Sequence, residues 1–97
     1  MNNKRRKAIN EIWNRIETVA DSCKADLESI KDELIALKED EQEYLDNMPE
    51  SLRDSERAET AEQAIEFMES AEQSLDSSIS ELDTLKEIES LLEEAQA

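Results

Sequence analysis

The chain has no glycine and no histidine, and only one proline, one cysteine and three aromatic residues in 97 positions. A sheet needs β-branched or aromatic strands and glycine-rich turns, so this composition disfavours a β-rich fold. The lack of histidine excludes the Glu-x-x-His ligands of di-iron carboxylate bundles. A single cysteine excludes an internal disulfide and is typical of a reducing compartment. The abundant residues, Glu, Ala, Leu, Lys, Ser and Ile, favour long helices.

Apolar residues recur in alternating steps of four and three through the first half of the chain. Such spacing places them on one stripe of a long helix that needs a partner helix. Only one member is charged, and Ile12, Val19 and Ile35 widen the stripe as in a bundle. The series is Ile9, Trp13, Ile16, Ala20, Cys23, Leu27, Ile30, Leu34, Leu37, Glu41, Tyr44 and Met48.

Pro49 ends the first helix, because its ring cannot continue an α-helix and disfavours α conformation in the preceding residue. A second apolar periodicity follows the break. The sequence therefore predicts one all-α domain over residues 1–97, a long antiparallel hairpin of two helices. Helix 1 covers about 3–46, the turn 47–54 and helix 2 about 55–95.

The two apolar stripes of such a hairpin cover only each other, and a core this thin is marginal in a monomer. We therefore expect a homodimer, most simply a four-helix bundle. The residues predicted for the core or the dimer contact are Trp13, Ile16, Cys23, Ile30, Leu34, Leu37, Leu75 and Leu82.

The net charge of −16, from 27 acidic and 11 basic residues, is the strongest indication of function. It disfavours direct binding to nucleic acid or an anionic membrane and favours a partner protein with a basic surface. The N-terminus has no continuous apolar run typical of a signal peptide, and no transmembrane segment is evident. We expect a cytoplasmic protein.

Helix 2 carries a row of acids in three- and four-residue steps, and its carboxylates are spaced about 5 Å apart along the axis. This spacing is compatible with a groove that normally holds a phosphate backbone. The row therefore predicts a DNA-mimicking binding face; the alternative is a solvated face that maintains solubility. Its members are Glu59, Glu62, Glu66, Glu69, Glu72, Asp76, Asp83 and Glu87.

Three other clusters of charge suggest weaker hypotheses. Glu39, Asp40 and Glu43 loosely resemble the E-E-x-x-E pattern of Mg²⁺-dependent all-α nucleotide pyrophosphatases. That family also needs a second acidic pair and phosphate-binding groups, and we can assign neither to residues of this sequence. We predict no catalytic residue, metal or cofactor.

The basic cluster at residues 4–7 opposes the helix dipole, so it is expected to pair with acids of a second copy or of a partner. Arg53 and Arg57 either neutralise acids at the turn or form a recognition tip.

The turn and the start of helix 2 carry a resemblance to a known group of proteins. Residues 43–57, EYLDNMPESLRDSER, continue into AEQAIEFMESA at 61–71. This N-M-P-E-S-L…S-E-R hairpin resembles small acidic helical proteins of phages and prophages. The resemblance implies a phage context and a non-enzymatic inhibitor of host machinery, such as restriction or CRISPR systems. It implies no residue roles.

These observations predict a non-enzymatic inhibitor of a host protein. Its acidic helix face would bind that partner, with Arg53 and Arg57 at the tip. The alternative is a structural coiled-coil adaptor or scaffold that binds through apolar surface. A metal-dependent nucleotide hydrolase is a remote third hypothesis.

Overall fold

The computed structural model describes residues 2–96 and is all-α. Helix α1 spans Asn3–Asp46, α2 spans Glu56–Glu81 and α3 spans Lys86–Ala95, with short 3₁₀ segments at Glu50–Leu52 and Leu82–Leu85. No strand occurs in residues 2–96. The prediction of an all-α helical hairpin is therefore confirmed.

Polar side chains form hydrogen bonds with free backbone groups at the ends of the helices. Asn2 accepts a hydrogen bond from the backbone N–H of Arg5 at 2.9 Å, which satisfies one free donor at the start of α1. Ser55 does the same for Ala58 at the start of α2, at 3.4 Å. Arg53 donates to the backbone oxygen of Asp46 at 3.2 Å, so its guanidinium satisfies one of the last carbonyls of α1.

The second helix differs from the sequence prediction in one respect. A single helix over about 55–95 was expected, whereas the α-helix is interrupted by a 3₁₀ segment at Leu82–Leu85, after which α3 begins. The Thr84 hydroxyl donates to the Glu81 carbonyl at 2.6 Å. This local bond competes with the regular helical hydrogen bonds and accompanies the tighter turn.

The chain divides into two compact units, each of which contains part of both arms of the hairpin. Unit 1 comprises residues 2–27 and 77–96 of the described chain, and unit 2 comprises residues 28–76. In unit 1, Gln96 donates a hydrogen bond to the side chain of Asn10 at 3.0 Å. In unit 2, Lys31 and Lys38 of α1 form ion pairs with Asp76 and Glu72 of α2.

The inward face of α1 in unit 2 includes two lysines, which the regular heptad pattern does not predict. After Leu27 the next less exposed residue of α1 is four positions on, at Lys31, and not three positions on, at Ile30. Ile30 and Leu37 are mainly exposed. A straight α-helix has 3.6 residues per turn, so a seam of strict 3.5 spacing drifts by about 20° per heptad. The step of four corrects this drift and selects Lys31, Leu34, Lys38, Glu41 and Leu45.

Few residues are fully buried within a single chain. In the described residues, the buried apolar side chains are Met48, Ala58 and Ala61, all in unit 2 near the turn. The two alanines are 1% and 2% exposed, which places the backbone of α2 close to its neighbours. Most other apolar residues remain half-exposed, so a single chain gains little from burying them.

No helix within residues 2–96 combines the length and the apolar character that crossing a bilayer requires.

Candidate protein-binding surfaces

Four carboxylates of α2 form an exposed row on one flank of unit 2. Glu59 and Glu62 line a shallow depression together with Arg53, Asp54 and Ser55 at the turn. Two further glutamates continue the row at steps of four and three, and all four side chains are exposed. None of them forms an ion pair within residues 2–96. We call Glu59, Glu62, Glu66 and Glu69 the acidic row.

Glu72 and Asp76, which were predicted to belong to the same binding face, form ion pairs with lysines of α1. Lys38 Nζ lies 2.7 Å from Glu72 Oε2, and Lys31 Nζ forms a hydrogen-bonded ion pair with Asp76 Oδ1. Glu72 is half-buried. These two carboxylates therefore join α2 to α1 inside unit 2, although Asp76 itself stays exposed. Of the predicted row in unit 2, the exposed carboxylates without an ion pair within residues 2–96 are the four glutamates before them.

The two ion pairs raise the pKa values of their lysines. The hydrogen bond to Asp76 raises the pKa of Lys31 above its usual value, and partial burial opposes this effect. The hydrogen bond to Glu72 raises the pKa of Lys38 in the same way. Nearby Glu69 of α2 and Glu39 of α1 also favour the charged form of Lys38, so acids from both helices surround this ammonium group.

The other predicted binding residues lie apart from the acidic row. Asp83 belongs to unit 1, where it lines a groove with Trp13, Lys24 and Lys86, so cations are close to it. Arg57 lines a different depression of unit 2, together with Tyr44. Of the two turn arginines, Arg53 lies beside the acidic row and Arg57 does not.

A second flank of unit 2 carries exposed apolar side chains, next to the charged residues Glu41, Glu56 and Arg57. Tyr44 shares a surface depression with Thr60 and Ala61, which identifies the side of α2 that it borders. Phe67 follows Thr60 by seven residues and lies on that same face of α2. Leu37 precedes Tyr44 by seven residues on α1, and the exposed fractions of Leu37 and Phe67 are 60% and 75%. We call Ile30, Leu37, Tyr44 and Phe67 the apolar flank of unit 2.

Unit 1 has an apolar flank of its own. One groove is lined by Ile12, Arg15, Ile16, Val19, Leu85 and Ile88, and Arg15 is its one charged residue. Val19 is 68% exposed, and Leu91, one turn beyond Ile88, is 65% exposed. We call Ile12, Val19, Ile88 and Leu91 the apolar flank of unit 1.

The residues predicted for the core or the dimer contact fall into two groups. Six are half-buried within the single chain, whereas Ile30 and Leu37 are mainly exposed, so a role for these two would lie in a contact with another molecule. The half-buried six are Trp13, Ile16, Cys23, Leu34, Leu75 and Leu82.

The hypothesis of a metal site finds no matching geometry. Within residues 2–96, no three Cys, His, Asp or Glu side chains are close enough together to hold a metal ion. That includes the Glu39, Asp40 and Glu43 cluster. The basic residues at 4–7 are all exposed.

Comparison with protein-family models, with curated proteins and with solved structures found no match to this chain.

Proposed function

We propose that this chain is a non-enzymatic binding protein that presents its acidic row to a basic protein surface and thereby blocks that surface. The suggested target is a protein whose basic groove otherwise holds nucleic-acid phosphates. The observation that carries the proposal is the exposure of Glu59, Glu62, Glu66 and Glu69 on one flank, without ion pairs inside the described chain.

The physical basis is the unbalanced charge of a regular helix. Four carboxylates at three- and four-residue steps are spaced by about 5 Å along an axis and project from one side of α2. Their mutual repulsion is relieved when a partner supplies lysines or arginines, and binding releases the anions held at the partner's surface. Such an interface associates rapidly and weakens as salt is added.

The resemblance of the turn to small acidic phage proteins supports a target in the host cell. Under this proposal the target belongs to the machinery that recognises or cuts foreign nucleic acid. Arg53 lies beside Glu59 and Glu62, so it would contact the same partner at the turn end of the row.

The test uses charge reversal on the acidic row. The variant Glu62→Lys, Glu66→Lys and Glu69→Lys should fail to capture a basic nucleic-acid-binding protein that the parent chain retains at low salt. A matched control, Glu11→Lys, Glu93→Lys and Glu94→Lys, changes the net charge equally at exposed positions of unit 1 and should still capture it. Equal capture by both variants would contradict the proposal.

A second candidate function, an assembly adaptor or scaffold, is favoured by the exposed apolar flanks. Phe67, Leu37 and Val19 expose most of their side chains, and exposed apolar surface of this kind is typical of protein–protein interaction sites. An adaptor would bind its partner through these residues, so its binding would persist at high salt and in the charge-reversed variant. The same capture experiment therefore separates the two functions.

A further inference from the structure

The two apolar flanks have matching spacing along α1. Ile12 and Val19 are seven residues apart in unit 1, and Leu37 and Tyr44 are seven residues apart in unit 2. If two copies of α1 run antiparallel with Ile12 of one opposite Tyr44 of the other, Val19 of the first copy lies opposite Leu37 of the second. The same register also holds with the two copies exchanged, so the contact is self-complementary.

We propose that the apolar flank of unit 1 packs against the apolar flank of unit 2 of a second copy, in an antiparallel homodimer. Each copy contributes both flanks, as two-fold symmetry requires. The contact covers Ile12, Val19, Leu37 and Tyr44 of α1, whereas Ile30 of one copy lies opposite Asp26 of the other. This inference is independent of the proposed binding by the acidic row, because it concerns other residues, whereas the adaptor function would use the same apolar flanks.

The second arm of the hairpin supports the same register. Tyr44 lies beside Thr60 and Ala61 in unit 2, and Asn10 lies beside Gln96 in unit 1. Seating Ile12 of one copy on Tyr44 of the other therefore brings the start of α2 to the end of the other copy's α3. Phe67, seven residues beyond Thr60, then faces the region of Ile88 and Leu91. The single phenylalanine, 75% exposed in one chain, thus meets two apolar side chains.

Charge complementarity selects the second copy as the occupant and the antiparallel direction. In this register Arg15, on the rim of the unit 1 groove, faces Glu41, on the rim beside Tyr44. The basic residues 4–7 lie opposite the turn, where Asp46, Glu50 and Asp54 outnumber Arg53. A parallel dimer would instead place residues 4–7 against themselves and the acids at 39–43 against themselves, which like charges oppose.

The dimer leaves the acidic row open to solvent. Tyr44 and Thr60 mark the apolar flank of unit 2, whereas Arg53, Glu59 and Glu62 mark the other flank. Burial of the apolar flanks would therefore remove hydrophobic surface from solvent without covering the glutamates.

Sedimentation equilibrium tests the contact with a pair of variants at neighbouring positions. The parent chain and Ala36→Glu, at an exposed position off the apolar flank, should both have twice the monomer mass of 11.1 kDa. Leu37→Glu should have the monomer mass at the same concentration, with helix content by circular dichroism unchanged. A monomeric parent chain, or a dimer that Leu37→Glu leaves intact, would overturn the proposal.

Disulfide trapping tests the register independently of stability. In a Cys23→Ala background, Val19→Cys mixed with Leu37→Cys should give a disulfide between the two different chains on mild oxidation. Val19→Cys alone should give no dimer, because residue 19 of one copy does not meet residue 19 of the other. A disulfide formed by Val19→Cys alone would indicate a parallel dimer and overturn the proposed arrangement.

Discussion

Lys38 donates a hydrogen bond from Nζ to Glu72 Oε2 at 2.7 Å and thereby joins α1 to α2 inside unit 2. This lysine takes an inward position on α1, while the neighbouring Leu37 is exposed. Partly exposed ion pairs contribute little individually, because side-chain ordering and solvent offset the attraction. We expect Lys38→Glu to lower the melting temperature, because it removes the ion pair and places another carboxylate among Glu39, Glu69 and Glu72, and Lys38→Glu with Glu72→Lys to recover part of the loss. No recovery in the exchanged pair would mean that the ion pair does not stabilise the fold.

The pH dependence of stability should carry the signature of the two inward lysines. Hydrogen bonds to Asp76 and Glu72 raise the pKa values of Lys31 and Lys38 above 10.5. A raised lysine pKa stabilises the folded state fully below the unfolded value and loses this effect as the pH rises through the folded value. The contribution should thus be constant at neutral pH and disappear above about pH 10.5.

Thermal melts of two proteins across this pH range isolate the effect from other groups that titrate there. The parent chain should lose its advantage over Lys31→Ala with Lys38→Ala as the pH rises above the ordinary lysine pKa of 10.5. If the difference between the two proteins were unchanged over that range, the raised pKa values would contribute nothing to folding.

The close approach of α2 depends on two alanines. Ala58 and Ala61 are 1% and 2% exposed, so a larger side chain has no space without moving the backbone. Overpacking at such a position costs about 1–3 kcal/mol. We expect Ala61→Leu to reduce the free energy of unfolding by this amount in urea titrations. Ala36→Leu, at an exposed position of α1, is the control and should change it little. Equal effects at both positions would contradict the close packing.

The start of α2 depends on the Ser55 side chain, which accepts a hydrogen bond from the backbone N–H of Ala58. Loss of an N-cap hydroxyl costs about 1 kcal/mol. Ser55→Ala should therefore lower the melting temperature by roughly 4–8 °C for a chain of this size, whereas the exposed, non-capping Ser70→Ala should not. Both measurements need the same protein concentration, because the melting temperature of the proposed dimer would depend on it.

Much of the hairpin could be predicted from residues with strong local preferences. Pro49 cannot continue α1, Asn2 and Ser55 are good N-caps, and the apolar periodicity extends through both arms. The 3₁₀ segment at Leu82–Leu85 was not predicted, because its tightening accompanies one threonine hydroxyl bond rather than a break in the apolar pattern.

The surfaces could be predicted only in part, for a geometric reason. Heptad counting assigned Ile30 and Leu37 to the stripe that faces a partner helix, but helix drift turns Lys31 and Lys38 inward instead. The lysines then pair with Glu72 and Asp76, so two of the predicted binding carboxylates are used inside unit 2. The sequence feature that could have indicated this is the presence of lysines four residues after Leu27 and after Leu34, because the long stem of a lysine can lie along apolar surface.

The most direct measurement of the proposed function is competition by nucleic acid for the captured partner. The chain is immobilised at low salt, a cell lysate is applied, and the retained protein is challenged with duplex DNA. The account predicts that DNA displaces the retained protein, and that the Glu62→Lys, Glu66→Lys and Glu69→Lys variant retains none of it while the Glu11→Lys, Glu93→Lys and Glu94→Lys control does. A partner that stays bound in excess DNA, or that the acidic-row variant retains equally, would contradict the account.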